Sequence, residues 1–99
     1  MFMSREVLSC KPGKVRALVG KFQALGEVMT EMGFEPFRLY TDVSGEPFWT
    51  LVLQHEFETL DAMQEMEAKV MSDKRAQTAM DGYHDLIASG RREIYKVES

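Results

Sequence analysis

The apolar residues of this chain change period repeatedly along its length, and the order of the changes leaves few folds open. Residues 4–10 alternate, and residues 14–32 repeat at steps of three or four. Residues 37–43 and 48–57 alternate again on either side of Ser44-Gly45-Glu46-Pro47. Residues 60–88 return to the longer period, and 91–97 alternate once more. Successive side chains of a strand point to opposite faces, while one side of a helix recurs every 3.6 residues. The pattern therefore predicts βαββαβ. In 99 residues this makes one domain, residues 1–99, of α+β class, with a four-stranded antiparallel sheet and helices on one of its faces.

The first helix is the clearest element. Val15, Leu18, Val19, Phe22, Leu25, Met29 and Met32 form one apolar face. Pro12-Gly13 leads into it and Gly33 closes it, since glycine tolerates the left-handed conformation past a helix end. Gly26 lies at the centre of the apolar face, where a missing Cβ would let the helix approach the sheet. In the second helical stretch Leu60, Met63, Met66 and Val70 form one stripe, capped by Thr59 or by Asp61 with Gln64. The period stumbles at residues 72–75 and resumes with Ala76, Ala79, Met80, Tyr83 and Ile87. A break is expected there, with Ser72 as the new cap and Gly90 as the end of the second piece.

Composition excludes several classes of function. With 16 acidic against 12 basic residues the net charge is −4, and the basic residues are scattered, so no nucleic-acid partner is expected. No apolar run approaches the ~20 residues that cross a bilayer, and the N-terminus reaches Arg5 and Glu6 too soon to hold a signal-peptide core. The lone Cys10 excludes an internal disulfide and suits a reducing compartment, which makes the cytoplasm the expected location. Two histidines 29 positions apart and one cysteine offer no metal-ligand spacing.

Sorting each strand by parity separates the two faces of the sheet. Trp49, Leu51, Leu53, His55 and Phe57, with Phe37, Leu39, Thr41 and Val43, form the more apolar set and are expected against the helices. That leaves Arg38, Tyr40, Thr50, Val52 and Gln54 on the other face. Arg5 and Val7 from the first strand, and Arg91, Glu93 and Tyr95 from the last, join them if those short strands keep the same phase. A face that mixes apolar and aromatic groups with a few donors suits a dimer interior or a ligand cavity with polar anchors.

Three stretches carry a resemblance. They are Lys11-Pro12-Gly13-Lys14-Val15 between strand and helix, the aromatic hairpin strands, and Glu56-Phe57-Glu58-Thr59-Leu60-Asp61-Ala62 leading into the second helix. Together they resemble the dimeric α/β-barrel superfamily and, within it, NIPSNAP-type domains. The resemblance implies a ferredoxin-like fold whose sheet packs on that of a second subunit, giving a homodimeric barrel. Its relatives include cofactor-independent monooxygenases and cyclases of aromatic substrates, haem-degrading monooxygenases, and proteins without known activity, so the fold alone does not choose a function.

The leading expectation is a small binding domain whose apolar or aromatic ligand is lined by Arg38, Tyr40, Val52, Gln54 and Tyr95. The alternative is a cofactor-independent monooxygenase or cyclase in which His55, Tyr40 or Trp49 positions an aromatic substrate. Arg38, always charged, needs an anionic ligand or a structural pair with Asp42, Glu56 or Glu93 if it is buried. Haem-degrading relatives combine a helical histidine with an asparagine and a tryptophan. This chain has His84 and Trp49 but no asparagine, and no cofactor is expected.

Overall fold

The computed structural model describes residues 1–99. Strand β1 (Phe2–Cys10) leads to α1 (Val15–Glu31), β2 (Arg38–Thr41) and β3 (Thr50–Phe57). Helices α2 (Leu60–Met71) and α3 (Lys74–Ala79), a 3₁₀ turn over Tyr83–Leu86, and β4 (Ile87–Lys96) follow. The strands lie in the order β2-β3-β1-β4, and every neighbouring pair is antiparallel. This is the ferredoxin-like arrangement, with α1 and α2–α3 crossing over one face.

Helix α1 forms where its spacing places it. Leu18, Val19, Phe22 and Val15 pack against Leu51, Leu53 and Cys10 as the main core. Met29 meets Val70 and Ala76 in a second cluster under the α2–α3 junction. Gly33, at φ +89°, ends the helix; its N–H donates to the Thr30 carbonyl, and the Phe34 N–H donates to that of Met29. These paired bonds satisfy carbonyls that the last turn would otherwise leave free.

The structure corrects several local expectations. Thr59 alone caps α2, its Oγ1 accepting from the Ala62 N–H at 3.0 Å. The chain does break after Met71, but the cap of α3 is Asp73 and not Ser72. The Asp73 carboxylate accepts from the Arg75 N–H at 2.8 Å, while the Ser72 hydroxyl is turned back to donate to the Lys69 carbonyl at 3.0 Å. The helical spacing of Tyr83 and Ile87 does not continue the helix. Gly82 turns left-handed at φ +76°, and Gly90 lies inside β4, which begins at Ile87. Gly26 faces the loop before β2 and not the sheet: a Cβ there would touch the Cβ of Pro36 at 3.5 Å, an ordinary contact.

A Cβ at Gly20 would meet nothing within 4 Å, and the position is solvent-exposed in mid-helix. Gly20→Ala should therefore raise stability by about 0.5–1 kcal/mol, read as a higher urea midpoint with unchanged slope. A lower midpoint would mean that the helix does not run through this position.

The connection between β2 and β3 is the largest departure from expectation. The two strands are shorter than their alternation suggests, and residues 42–49 form a loop in place of a tight turn. Asp42 braces it, its Oδ1 accepting from the Thr50 N–H at 2.8 Å, while the Thr50 hydroxyl donates to the Pro47 carbonyl at 2.7 Å. Between them Trp49 adopts φ +68°, the one non-glycine residue in the left-handed region. That conformation costs roughly 1–2 kcal/mol and takes Trp49 out of the strand, which begins only at Thr50, so strand alternation does not govern its side chain.

Candidate functional site

The registers put Arg38 opposite Gln54, Gln54 opposite Arg5, and Arg5 opposite Glu93, in one row across all four strands. The next row runs Tyr40, Val52, Val7, Arg91, and the row beyond Gln54 runs Glu56, Met3, Tyr95. All of these side chains share the face that carries no helix. The molecule is a slab only 17 Å thick, two layers deep, so nothing from this chain forms a third layer over that face.

One end of the face is nonetheless covered. The 42–49 loop folds over it, so that Glu46 and Pro47 share a cleft with Val7, Ser9, Thr50 and Arg91. Arg91 reaches Glu46 at 3.4 Å and Glu93 at 3.1 Å. Thr50, only 3% exposed, and Val7, 5% exposed, are thereby closed off. Thr50 is a brace of the loop and not part of an open surface.

The structure brings Arg38, Tyr40, Val52 and Gln54 together on two adjacent strands. Tyr95 stands apart on β4, separated from Gln54 by the whole width of β1. Between these two parts lie Arg5 and Glu93, face members that the sequence reading did not carry into the expected site. Arg38 is exposed and pairs with none of Asp42, Glu56 and Glu93; Arg5, 3.5 Å from Glu93, takes the last of these.

The three expected catalytic residues do not converge. His55 projects from the helix side of β3, where Nε2 donates to the Glu35 carbonyl at 2.7 Å and the ring stands edge-on to Phe57. Since a carbonyl only accepts, Nε2 carries a proton, and the other ring nitrogen, Nδ1, is buried without a partner. Tyr40 is on the opposite face. Trp49 lies at the end of the sheet with Phe48, Gly13, Val15 and Arg16, lining a cleft of about 260 Å³ beside the start of α1. Thr41 and Asp42 complete the lining of that cleft, which holds neither His55 nor Tyr40. His84 is exposed on the 3₁₀ turn, its ring against Tyr83. No three His, Cys, Asp or Glu side chains gather into a metal-ligating group. No helix is long and apolar enough to cross a membrane.

Electrostatics follows the pairs. Hydrogen bonding from Arg91 holds the Glu93 carboxyl below the usual carboxylate range, and the charge of Arg5 adds to this. Asp73 is lowered in the same way by its hydrogen bonds from Arg75, which also reaches Glu31 at 2.9 Å. Burial, together with the Asp42 charge, pushes the Cys10 thiol up and keeps it protonated. A carboxyl with a depressed folded pKa stabilises the protein above its unfolded pKa and loses that contribution as pH falls through the folded value. Stability should thus be level above about pH 5 and decline in acid. Urea midpoints measured across that range check it, and Glu93→Gln should flatten part of the slope.

No protein-family model matches the chain, and no curated protein does. Solved structures do. A NIPSNAP family protein with unknown function from Agrobacterium tumefaciens superposes with a TM-score of 0.83 at 22% identity, over 98% of this chain and 87% of that one. An uncharacterised NIPSNAP domain protein from Burkholderia xenovorans gives 0.81 at 14% identity, over 100% and 96%. A candidate antibiotic biosynthesis monooxygenase from Nitrosomonas europaea gives 0.72 at 20% identity, covering 100% of both chains. The fold of this protein is therefore the ferredoxin-like α+β fold that solved NIPSNAP proteins share with antibiotic biosynthesis monooxygenase-type domains.

Proposed function

We propose that the protein is a homodimeric α/β barrel that encloses a small apolar or aromatic ligand between two sheets and acts as a binding or accessory domain. The observation that carries this is the uncovered face. Tyr40, 42% exposed, and Tyr95, 49% exposed, stand on it together with Met3 and Val52, and only the end near the 42–49 loop is closed by the chain itself. An antiparallel sheet can leave one face in water, but that face is then polar along its whole length. A second copy set face to face buries the aromatic groups and leaves the Arg38–Tyr40–Val52–Gln54 area as the wall of an internal cavity.

The separation of His55, Tyr40 and Trp49 favours binding over the monooxygenase or cyclase alternative, because catalysis needs its groups within reach of one substrate. The lone, buried Cys10 supports a cytoplasmic setting. Native mass spectrometry of the purified protein tests the proposal. The expected result is a dimer that carries or takes up a small aromatic molecule; a monomer at micromolar concentration overturns it. Oxygen uptake with a polycyclic phenol would reinstate the enzyme.

A further inference from the structure

The basic side chains of the molecule differ sharply in how they are satisfied. Arg75, Arg91 and Arg92 each donate to carboxylates of this chain, through Asp73 and Glu31, Glu93 and Glu46, and Glu6. Arg5 and Arg38 donate to none, and neither does the exposed Arg16 on α1. Arg5 makes only the 3.5 Å approach to Glu93, and its Nε is buried without a hydrogen-bond partner, as is the facing Glu93 Oε1. Arg38 has neither ion pair nor hydrogen bond. These two arginines are the two Cα partners of one residue, Gln54, on strands to either side of it and on the uncovered face.

Alternate strands of a sheet are about 10 Å apart, and an arginine side chain spans roughly half to two-thirds of that. Arg5 now leans toward Glu93 on β4, and a change of its rotamer lets the two guanidinium forks from β1 and β2 meet over Gln54. Each offers five N–H donors in a plane that matches a carboxylate, sulfonate or phosphate. Beside them, one row along, Tyr40 and Val52 supply an aromatic and an aliphatic floor. Once the face is closed from water, Arg38 has no carboxylate of its own chain and Arg5 only the 3.5 Å approach to Glu93, which Arg91 shares, so the pair is one negative charge short and the occupant supplies it.

We infer that Arg5 and Arg38 form an anion clamp over Gln54, and that the ligand of this protein is an aromatic or apolar molecule bearing a single anionic group. The inference rests on the enclosed cavity proposed above and specifies its contents. The anionic group accepts from both arginines and from the Gln54 amide, and the ring lies over Val52 against Tyr40.

Two dyes with nearly the same aromatic body separate the clamp from the cavity: anilinonaphthalene sulfonate, which is anionic, and N-phenylnaphthylamine, which is neutral. Fluorescence titration of the full-length protein should show the anionic dye binding about tenfold or more tightly than the neutral one, as charged hydrogen bonds imply. Arg5→Gln and Arg38→Gln should each remove about tenfold of the anionic dye's affinity and leave the neutral dye unchanged. Arg38→Lys, which keeps the charge but loses the fork, should fall between them. Arg16→Gln, at the cleft beside α1, should change neither.

Equal binding of the two dyes by the wild type overturns the clamp while leaving the cavity standing. Loss of the anionic dye in Arg16→Gln also overturns it, by moving the anion to the other cleft. Weakened dimerisation in Arg38→Gln with dye binding intact overturns it in favour of a charge pair between subunits. Binding of neither dye overturns the cavity itself.

Discussion

Leu18→Ala should cost about 3 kcal/mol of stability, within the 2–5 kcal/mol range for truncating a fully buried leucine. Leu18 is completely buried and stands among Val15, Val19, Phe22, Leu51 and Leu53, where α1 lies on the centre of the sheet. The loss has two parts: the transfer energy of the removed carbons, and the void left because a helix fixed at both ends and a four-stranded sheet relax only a little toward each other. Against a typical total of 5–15 kcal/mol this is a large fraction. Urea unfolding at fixed protein concentration is the measurement, since dimerisation would add a concentration-dependent term. A lower midpoint with unchanged slope is expected; a loss below about 1 kcal/mol would mean that α1 does not pack as described.

Val52→Arg should have the opposite profile, leaving the fold intact while abolishing self-association. Val52 sits in the row Tyr40–Val52–Val7–Arg91, near the middle of the uncovered face. In a single chain the new guanidinium remains in water and costs little. In a face-to-face pair each copy would bury a charge without a counterion, a penalty of about 3 kcal/mol or more per copy. The dimer dissociation constant should rise by more than about a hundredfold, with the circular dichroism spectrum unchanged. Sedimentation at several concentrations measures it. A variant as dimeric as the wild type would place the interface on some other surface.

Element order was legible in the sequence because it rests on periodicity, which both core clusters enforce. Leu18 and Phe22 cannot leave the apolar stripe without opening a void, and Leu51 and Leu53 cannot change parity without facing water. The phase of β1 and β4, the first and last strands in sequence, follows the same alternation. The misplaced boundaries lie where local backbone chemistry overrides periodicity. Asp73 in place of Ser72 as a cap, Gly82 in place of Gly90 as a helix end, and the left-handed Trp49 are settled by one or two hydrogen bonds or one dihedral angle. Tyr83 and Ile87 kept a helical spacing through a turn that is not helical, because both still point at the core from a 3₁₀ turn and a strand.

The candidate site was legible as a face and not as a constellation. Parity could say that Arg38, Tyr40, Val52 and Gln54 share a side, but not which strand lies next to which. Only the order β2-β3-β1-β4 shows that Arg5 stands across Gln54 from Arg38 and that Tyr95 is two strands away from it. The covering of Val7 and Thr50 by Glu46 and Pro47 had no sequence signal, since a turn tetrapeptide does not reveal which way its loop leans.

The strand order has one more consequence, for behaviour at high concentration. It leaves β4, ten residues long, with a free rim of unpaired peptide groups, a template on which further strands could add without limit. The rim is guarded: Arg91, Arg92, Glu93 and Lys96 occupy four of the last six positions of β4. Charges so dense along an outer strand oppose its pairing with a copy of itself in a flat ribbon. The charged rim thereby disfavours open-ended growth through β4, and the face-to-face pair proposed above would be a closed assembly with no further strand to add.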